Sequence, residues 1–80
     1  MSAIEIYNIN KNNCNGVLSR LYKERDRISQ NIGRCISIGA DTIYLENSYN
    51  KLCDHIYEIC KWRSENPGCL LEGDPGFSYI

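Results

Sequence analysis

The chain has 80 residues and a mass of 9.2 kDa, which fits one small domain over residues 1–80. The chain contains nine Lys and Arg residues and ten Asp and Glu residues, which give a net charge of -1 and a pI of about 5.7. This balance excludes the strong positive charge of nonspecific nucleic-acid binding and the dense negative charge of a DNA mimic, so nucleic acid is not expected as a partner.

The N-terminal region contains neither an apolar run of signal-peptide length nor one of membrane-spanning length. We therefore expect a cytoplasmic protein without membrane contact. Nine Asn, eleven Ile and two Ala are typical of AT-rich coding regions, as in many viral and phage genomes. This composition favours a viral or phage origin.

The N-terminal ten residues favour an extended segment or a single turn, because Ile4 and Ile6 alternate with polar neighbours. Residues 11–16 are polar and rich in residues that favour turns. Asn13 or Asn15 is suited to cap a helix that follows.

A first helix is predicted over residues 16–38. Apolar positions recur there at alternating spacings of three and four, with one arginine among them: Leu18, Leu21, Arg25, Ile28, Ile32 and Cys35. Gly33 lowers helix propensity by about 1 kcal/mol relative to Ala, so the last turn could bend or end early. Gly39 provides the stop.

A second helix is predicted over residues 42–65, with Asp41 and Thr42 as caps. Its row has the same alternating spacing: Leu45, Tyr49, Leu52, Ile56, Ile59 and Arg63. The short link between the helices makes them antiparallel neighbours. The fold class is therefore mainly α, an antiparallel αα-hairpin in which Leu21 lies near Cys60 and Ile28 lies near Cys53.

The C-terminal segment begins where Pro67 and Gly68 end the second helix. Two short apolar stretches, residues 69–71 and 77–80, then flank a turn-rich sequence at residues 72–76. They predict either a small β-hairpin or a tail that packs on the helices.

The second helix has more apolar surface than one partner helix covers, because Cys53, Tyr57 and Cys60 form a further line beside its main row. We expect the terminal segments or a second copy of the chain to cover it. A two-helix hairpin buries little apolar area, so a homo-oligomer that forms a helical bundle is favoured, with a dimer as the commonest form. Cys53, Tyr57 and Cys60 would form its interface.

Arg25 and Arg63 interrupt the two apolar rows. Such a cation either fixes the register or binds an anionic ligand, or its alkyl stem covers the row while its guanidinium reaches solvent. The interpretation in which the alkyl stem covers the row and the guanidinium reaches solvent is favoured for both arginines, and more strongly for Arg63 near the helix end.

Five cysteines, an odd number without any C-x-x-C motif, favour reduced thiols that pack in the core. The spacing of Cys53 and His55 resembles no zinc site, so no metal or other cofactor is expected. A bridge between Cys14 and Cys69, or a bond between two chains, remains the alternative.

The outer face of the first helix carries a basic row, namely Arg20, Lys23, Arg27 and Arg34. The row either aids solubility, the favoured reading, or binds an anionic partner. In the second case Tyr7 and Tyr22 are candidates to stack on the base of a nucleotide held between subunits.

The sequence contains no catalytic motif, and its single histidine, His55, has no evident partner for acid–base chemistry. Asp54 and Glu58 fit a solvated face with Lys51 and Lys61 better than a pair of catalytic carboxylates. We therefore expect a small non-enzymatic interaction protein, an inhibitor or adaptor with a protein partner, which for a phage or viral chain would act against a host complex. The alternative is an oligomer that sequesters a small phosphorylated molecule or nucleotide at a subunit junction.

Overall fold

A computed structural model describes residues 2–71 of the chain, and it consists of three helices. They are α1 (Ala3–Ile6), α2 (Cys14–Ser37) and α3 (Ile43–Glu65). The part of the chain so described contains no strand, which agrees with the mainly helical class.

The two long helices pack against each other as the predicted antiparallel hairpin. Two contacts fix their register: the Tyr22 hydroxyl lies 3.4 Å from the Cys60 sulfur, and an Arg63 guanidinium nitrogen donates to Asn15 Oδ1 at 2.9 Å. Both agree with the pairing expected from the apolar rows. The observed helix bounds lie within two residues of the predicted ones.

The turn between the helices is set by Gly39, whose φ of +73° lies in the left-handed region that glycine adopts without strain. α3 then begins after Thr42, and Asp41 Oδ1 accepts a hydrogen bond from the Ile43 amide at 2.9 Å. Asp41 therefore satisfies an amide that the helix itself leaves free. α2 does not end early at Gly33 and continues to Ser37.

The N-terminal segment forms the single helical turn α1, one of the two predicted alternatives, and packs on α3. The Ala3 amide donates to Glu58 Oε2 at 2.6 Å, and the Tyr7 hydroxyl lies 2.9 Å from His55 Nδ1. A loop then leads into α2. Asn13 precedes that helix as predicted, but its side chain binds Asn10 and Asn8 in the loop instead of capping α2.

The hydrophobic core lies at the end of the hairpin where α1 and residues 66–71 pack. Its members are Ala3, Ile9, Cys14, Val17, Leu18, Leu21, Leu52, Ile56 and Ile59. No residue from 22 to 51 is buried in the described chain, although the apolar rows continue through that stretch. The radius of gyration of 14.7 Å exceeds the roughly 12 Å of a compact domain of this length, so the distal half of the hairpin projects from the core.

The C-terminal segment turns back across the start of α2. The Leu70 amide donates to the Lys11 carbonyl at 2.8 Å, and Asn15 Nδ2 donates to the Leu70 carbonyl at 2.9 Å. The greater part of the predicted C-terminal β-hairpin, residues 72–80, lies outside the described residues. Within residues 2–71, no helix combines the length and the hydropathy that crossing a bilayer requires.

Candidate interaction surfaces

The hairpin has a tip at the end away from the core, which we define by four strongly exposed apolar residues. Their exposed fractions are 65% for Ile36, 79% for Ile38, 62% for Ile43 and 82% for Tyr44. These side chains lie on both sides of the Gly39 turn. The tip is therefore an apolar surface that the rest of the described chain does not cover.

The two flanks of the hairpin differ. On α3, His55 and Cys60 are five residues apart and so point about 140° apart around the helix. α1 covers the flank of His55 through the Tyr7 and Glu58 contacts. The opposite side, with Tyr22, Arg25, Cys53, Tyr57 and Cys60, has no α1 on it, and we call it the open flank.

On the open flank, the three residues predicted to form an oligomer interface lie at different depths. Tyr57 is 71% exposed, whereas Cys53 and Cys60 are half-buried. Cys60 contacts the Tyr22 hydroxyl, and this hydrogen bond, together with burial, raises the pKa of Tyr22. Cys60 therefore belongs to the contact between the helices, and Tyr57 is the residue most available to a partner.

The two arginines that interrupt the apolar rows are placed differently. Arg25 is half-buried, with its guanidinium carbon 5.0 Å from the centre of the Tyr22 ring and its Nε 3.9 Å from Asp26. Arg63 is exposed and donates to Asn15. Both guanidinium groups thus have partners within the chain.

The structure does not bring the predicted anion-binding residues together as one group. All four cations of the basic row are exposed, but Arg27 forms an ion pair with Glu24. Burial raises the pKa of Tyr7, and the nearby positive charge of Arg20 reduces this rise. Tyr7 hydrogen bonds with His55, whereas Tyr22 lies on the open flank. The two tyrosines therefore lie on opposite flanks.

A groove of about 340 Å³ lies beside α1 between the two long helices. Its apolar part is formed by Ile6, Ile28 and Leu52. Its polar part contains the carboxylate of Glu24, the ammonium group of Lys51 and the imidazole ring of His55. Glu58 binds the Ala3 amide, not the neighbouring lysines, so its carboxylate stabilises the N-terminal turn. The groove itself, with groups of both charge signs in its lining, favours no single class of ligand.

Cys14 is fully buried at the base of the hairpin, close to the thiols of Cys69 and Cys60. Burial raises its pKa from 9.0 to about 11, and the neighbouring Cys69 and Cys60 add to this, while Arg63 opposes it. All five cysteines are free thiols. Among the described residues, no group of three His, Cys, Asp or Glu side chains is placed to hold a metal ion.

Three contacts that position the termini were not predicted: Tyr7 with His55, Ala3 with Glu58, and Asn15 with Leu70. Each joins residues at least 48 positions apart, and no periodic pattern marks them. Comparison of the chain with protein-family models, curated proteins and solved structures gives no match.

Proposed function

We propose that the chain is a small non-enzymatic interaction protein of the inhibitor or adaptor type, which works as a homo-oligomer and binds a larger target protein through its tip. One observation carries this proposal: the distal half of the described hairpin keeps its apolar rows but buries none of them. Monomeric soluble proteins rarely leave large contiguous apolar areas exposed, and such areas commonly mark interaction sites.

The open flank supports self-association. α2 has 24 residues and is about 36 Å long, and two helices side by side are about 19 Å wide, so a face of the hairpin covers about 700 Å². This is close to the roughly 800 Å² that each partner contributes to a standard stable interface. A second copy on this flank would form a four-helix bundle and cover the half-buried Cys53 and the exposed Tyr57.

The tip supports binding of a target. Ile38 and Tyr44 are about four-fifths exposed and lie at the far end from the core, so a copy on the open flank leaves them accessible. Apolar and aromatic side chains of this kind fit an apolar pocket or groove on a partner. If the chain is of phage or viral origin, as its composition favours, the target belongs to a host complex.

Two exposed tyrosines on α3 provide a matched test of the two surfaces. Light scattering coupled to gel filtration should give the wild type a mass of at least twice 9.2 kDa, and Tyr57→Glu should reduce it to the single-chain mass. Tyr44→Glu should leave the oligomer intact. A wild type that stays monomeric at about 100 μM, or equal behaviour of the two variants, contradicts self-association through this flank.

The same variants test target binding. A protein captured by the wild type should still bind Tyr57→Glu and should be lost with Tyr44→Glu, while circular dichroism shows both variants to be helical. Loss of the target with Tyr57→Glu alone would move the target site to the open flank. The alternative, sequestration of a nucleotide by the basic row and two tyrosines, gains no support, since Tyr7 and Tyr22 lie on opposite flanks.

A further inference from the structure

Two cysteines from opposite ends of the chain meet at the base of the hairpin. Cys14 is the first residue of α2, and Cys69 follows α3 by four residues. Cys69 packs against the core of which Cys14 is a member, and its thiol lies near enough to Cys14 to add to the rise in the Cys14 pKa that burial causes. Cys69 Sγ also lies 3.3 Å from the Asn66 carbonyl, to which it donates.

The backbone around Cys69 holds this approach in place. Gly68 has a φ of +92°, in the left-handed region, and it turns the chain back toward α2 after Pro67. The next residue, Leu70, is held by the Lys11 carbonyl and the Asn15 side chain. Cys69 is therefore fixed on both sides opposite Cys14.

The two thiols differ in their access to solvent. Cys14 is completely buried, whereas Cys69 is half-buried and lines an open pocket of about 260 Å³. Arg63 lines the same pocket and adds a guanidinium group. A small reagent with a carboxylate can thus reach Cys69 without opening the core.

We propose that Cys69 is a site of thiol–disulfide exchange with small anionic disulfides such as oxidised glutathione, and that Cys14 resolves the adduct to form a Cys14–Cys69 disulfide. The Cys69 thiolate attacks one sulfur of the small disulfide, and the other half leaves as a thiolate. The Cys14 thiolate then attacks the Cys69 sulfur and releases the second half. The protein loses two protons and two electrons, and the small disulfide becomes two thiols.

The order of these steps follows from the site. Because the pKa of Cys14 is about 11, its thiol is almost fully protonated at neutral pH, and Cys69 therefore makes the first attack. The second step is intramolecular, and its rate should rise about tenfold per pH unit between pH 7 and pH 9 as the Cys14 thiolate fraction increases. The bond closes a loop of about 55 residues and ties the C-terminal segment to α2.

The test uses the full-length reduced protein, oxidised glutathione and mass spectrometry. Trypsin cleavage at Lys and Arg places Cys14 in the peptide 12–20 and Cys69 in the peptide 64–80, each with a single cysteine. We expect these two peptides to become linked. The apparent melting temperature of the oxidised protein should rise by about 20 °C, because the link constrains the unfolded chain.

Three variants complete the experiment. Cys14→Ala should stop at one glutathione adduct on Cys69, and Cys69→Ser should acquire neither the adduct nor the link. Cys35→Ser, in the distal half of the hairpin, should behave as the wild type. A link from Cys60 to either cysteine, a first adduct on Cys14, or fully reduced peptides after oxidation of the folded protein would each overturn the proposal.

Discussion

Replacing Ile59 with Ala should destabilise the protein far more than the same change at Ile36. Ile59 is fully buried in α3, and Ile36 is 65% exposed near the end of α2. Removal of three buried carbons from Ile59 costs about 2.4 kcal/mol in transfer free energy at about 0.8 kcal/mol each, and the cavity raises this to about 3 kcal/mol. At Ile36 little more than a third of the surface is covered, and the higher helix propensity of Ala offsets part of the loss, leaving about 0.5 kcal/mol.

Urea unfolding followed by circular dichroism at one fixed protein concentration measures this difference. With an m-value of about 1 kcal/mol/M for a chain of this size, Ile59→Ala should lower the midpoint by about 3 M and Ile36→Ala by about 0.5 M. Ile59→Val, at about 1 kcal/mol, keeps the measurement possible if the Ala variant is largely unfolded. Similar shifts for Ile36→Ala and Ile59→Ala would refute the reasoning that the core lies at one end of the hairpin.

Two further predictions concern pH and the glycines. Burial raises the Cys14 pKa from 9.0 to about 11, so as the pH rises the Cys14 thiol ionises in the unfolded chain before it ionises in the folded one. The protonated thiol therefore contributes fully to the free energy of unfolding below pH 9, and this contribution falls by up to about 2 kcal/mol as the pH rises to about 11. Cys14→Ala should flatten this slope in urea melts, and an unchanged slope would exclude Cys14 as its source. Gly39→Ala should cost about 1 kcal/mol because its φ is +73°, whereas Gly33→Ala, in open space within α2, should gain up to about 1 kcal/mol. Thermal melts that shift in the same direction for both would contradict this.

The hairpin could be predicted because its determinants are local. The two apolar rows, the glycine turn and the Pro67-Gly68 stop each act within a few residues, and they place the helix ends within two residues of those observed. The antiparallel register follows from the short link, as the Tyr22 to Cys60 contact confirms. Gly33 does not end α2 early, since a cost of about 1 kcal/mol in one turn does not end a helix that extends on both sides.

The candidate surfaces could be predicted only in part. The sequence identified Tyr57 as part of a surplus apolar line, and the structure leaves this residue exposed. Helical periodicity also placed the basic row on an outer face, but it gave no information about which cations have partners, such as Arg27 with Glu24. Ion pairs of this kind depend on side-chain conformations, which spacing alone does not fix.

The sequence by itself determined the two long helices and their antiparallel pairing. The tertiary structure decided which flank α1 covers, where the core ends and which cysteines meet. Cys14 and Cys69 remained one of several alternatives in the sequence, and their contact depends on the Gly68 turn together with the Leu70 hydrogen bonds. The physical reason is that periodic patterns encode neighbours one or two turns apart, whereas the packing of terminal segments depends on contacts between residues more than 45 positions apart.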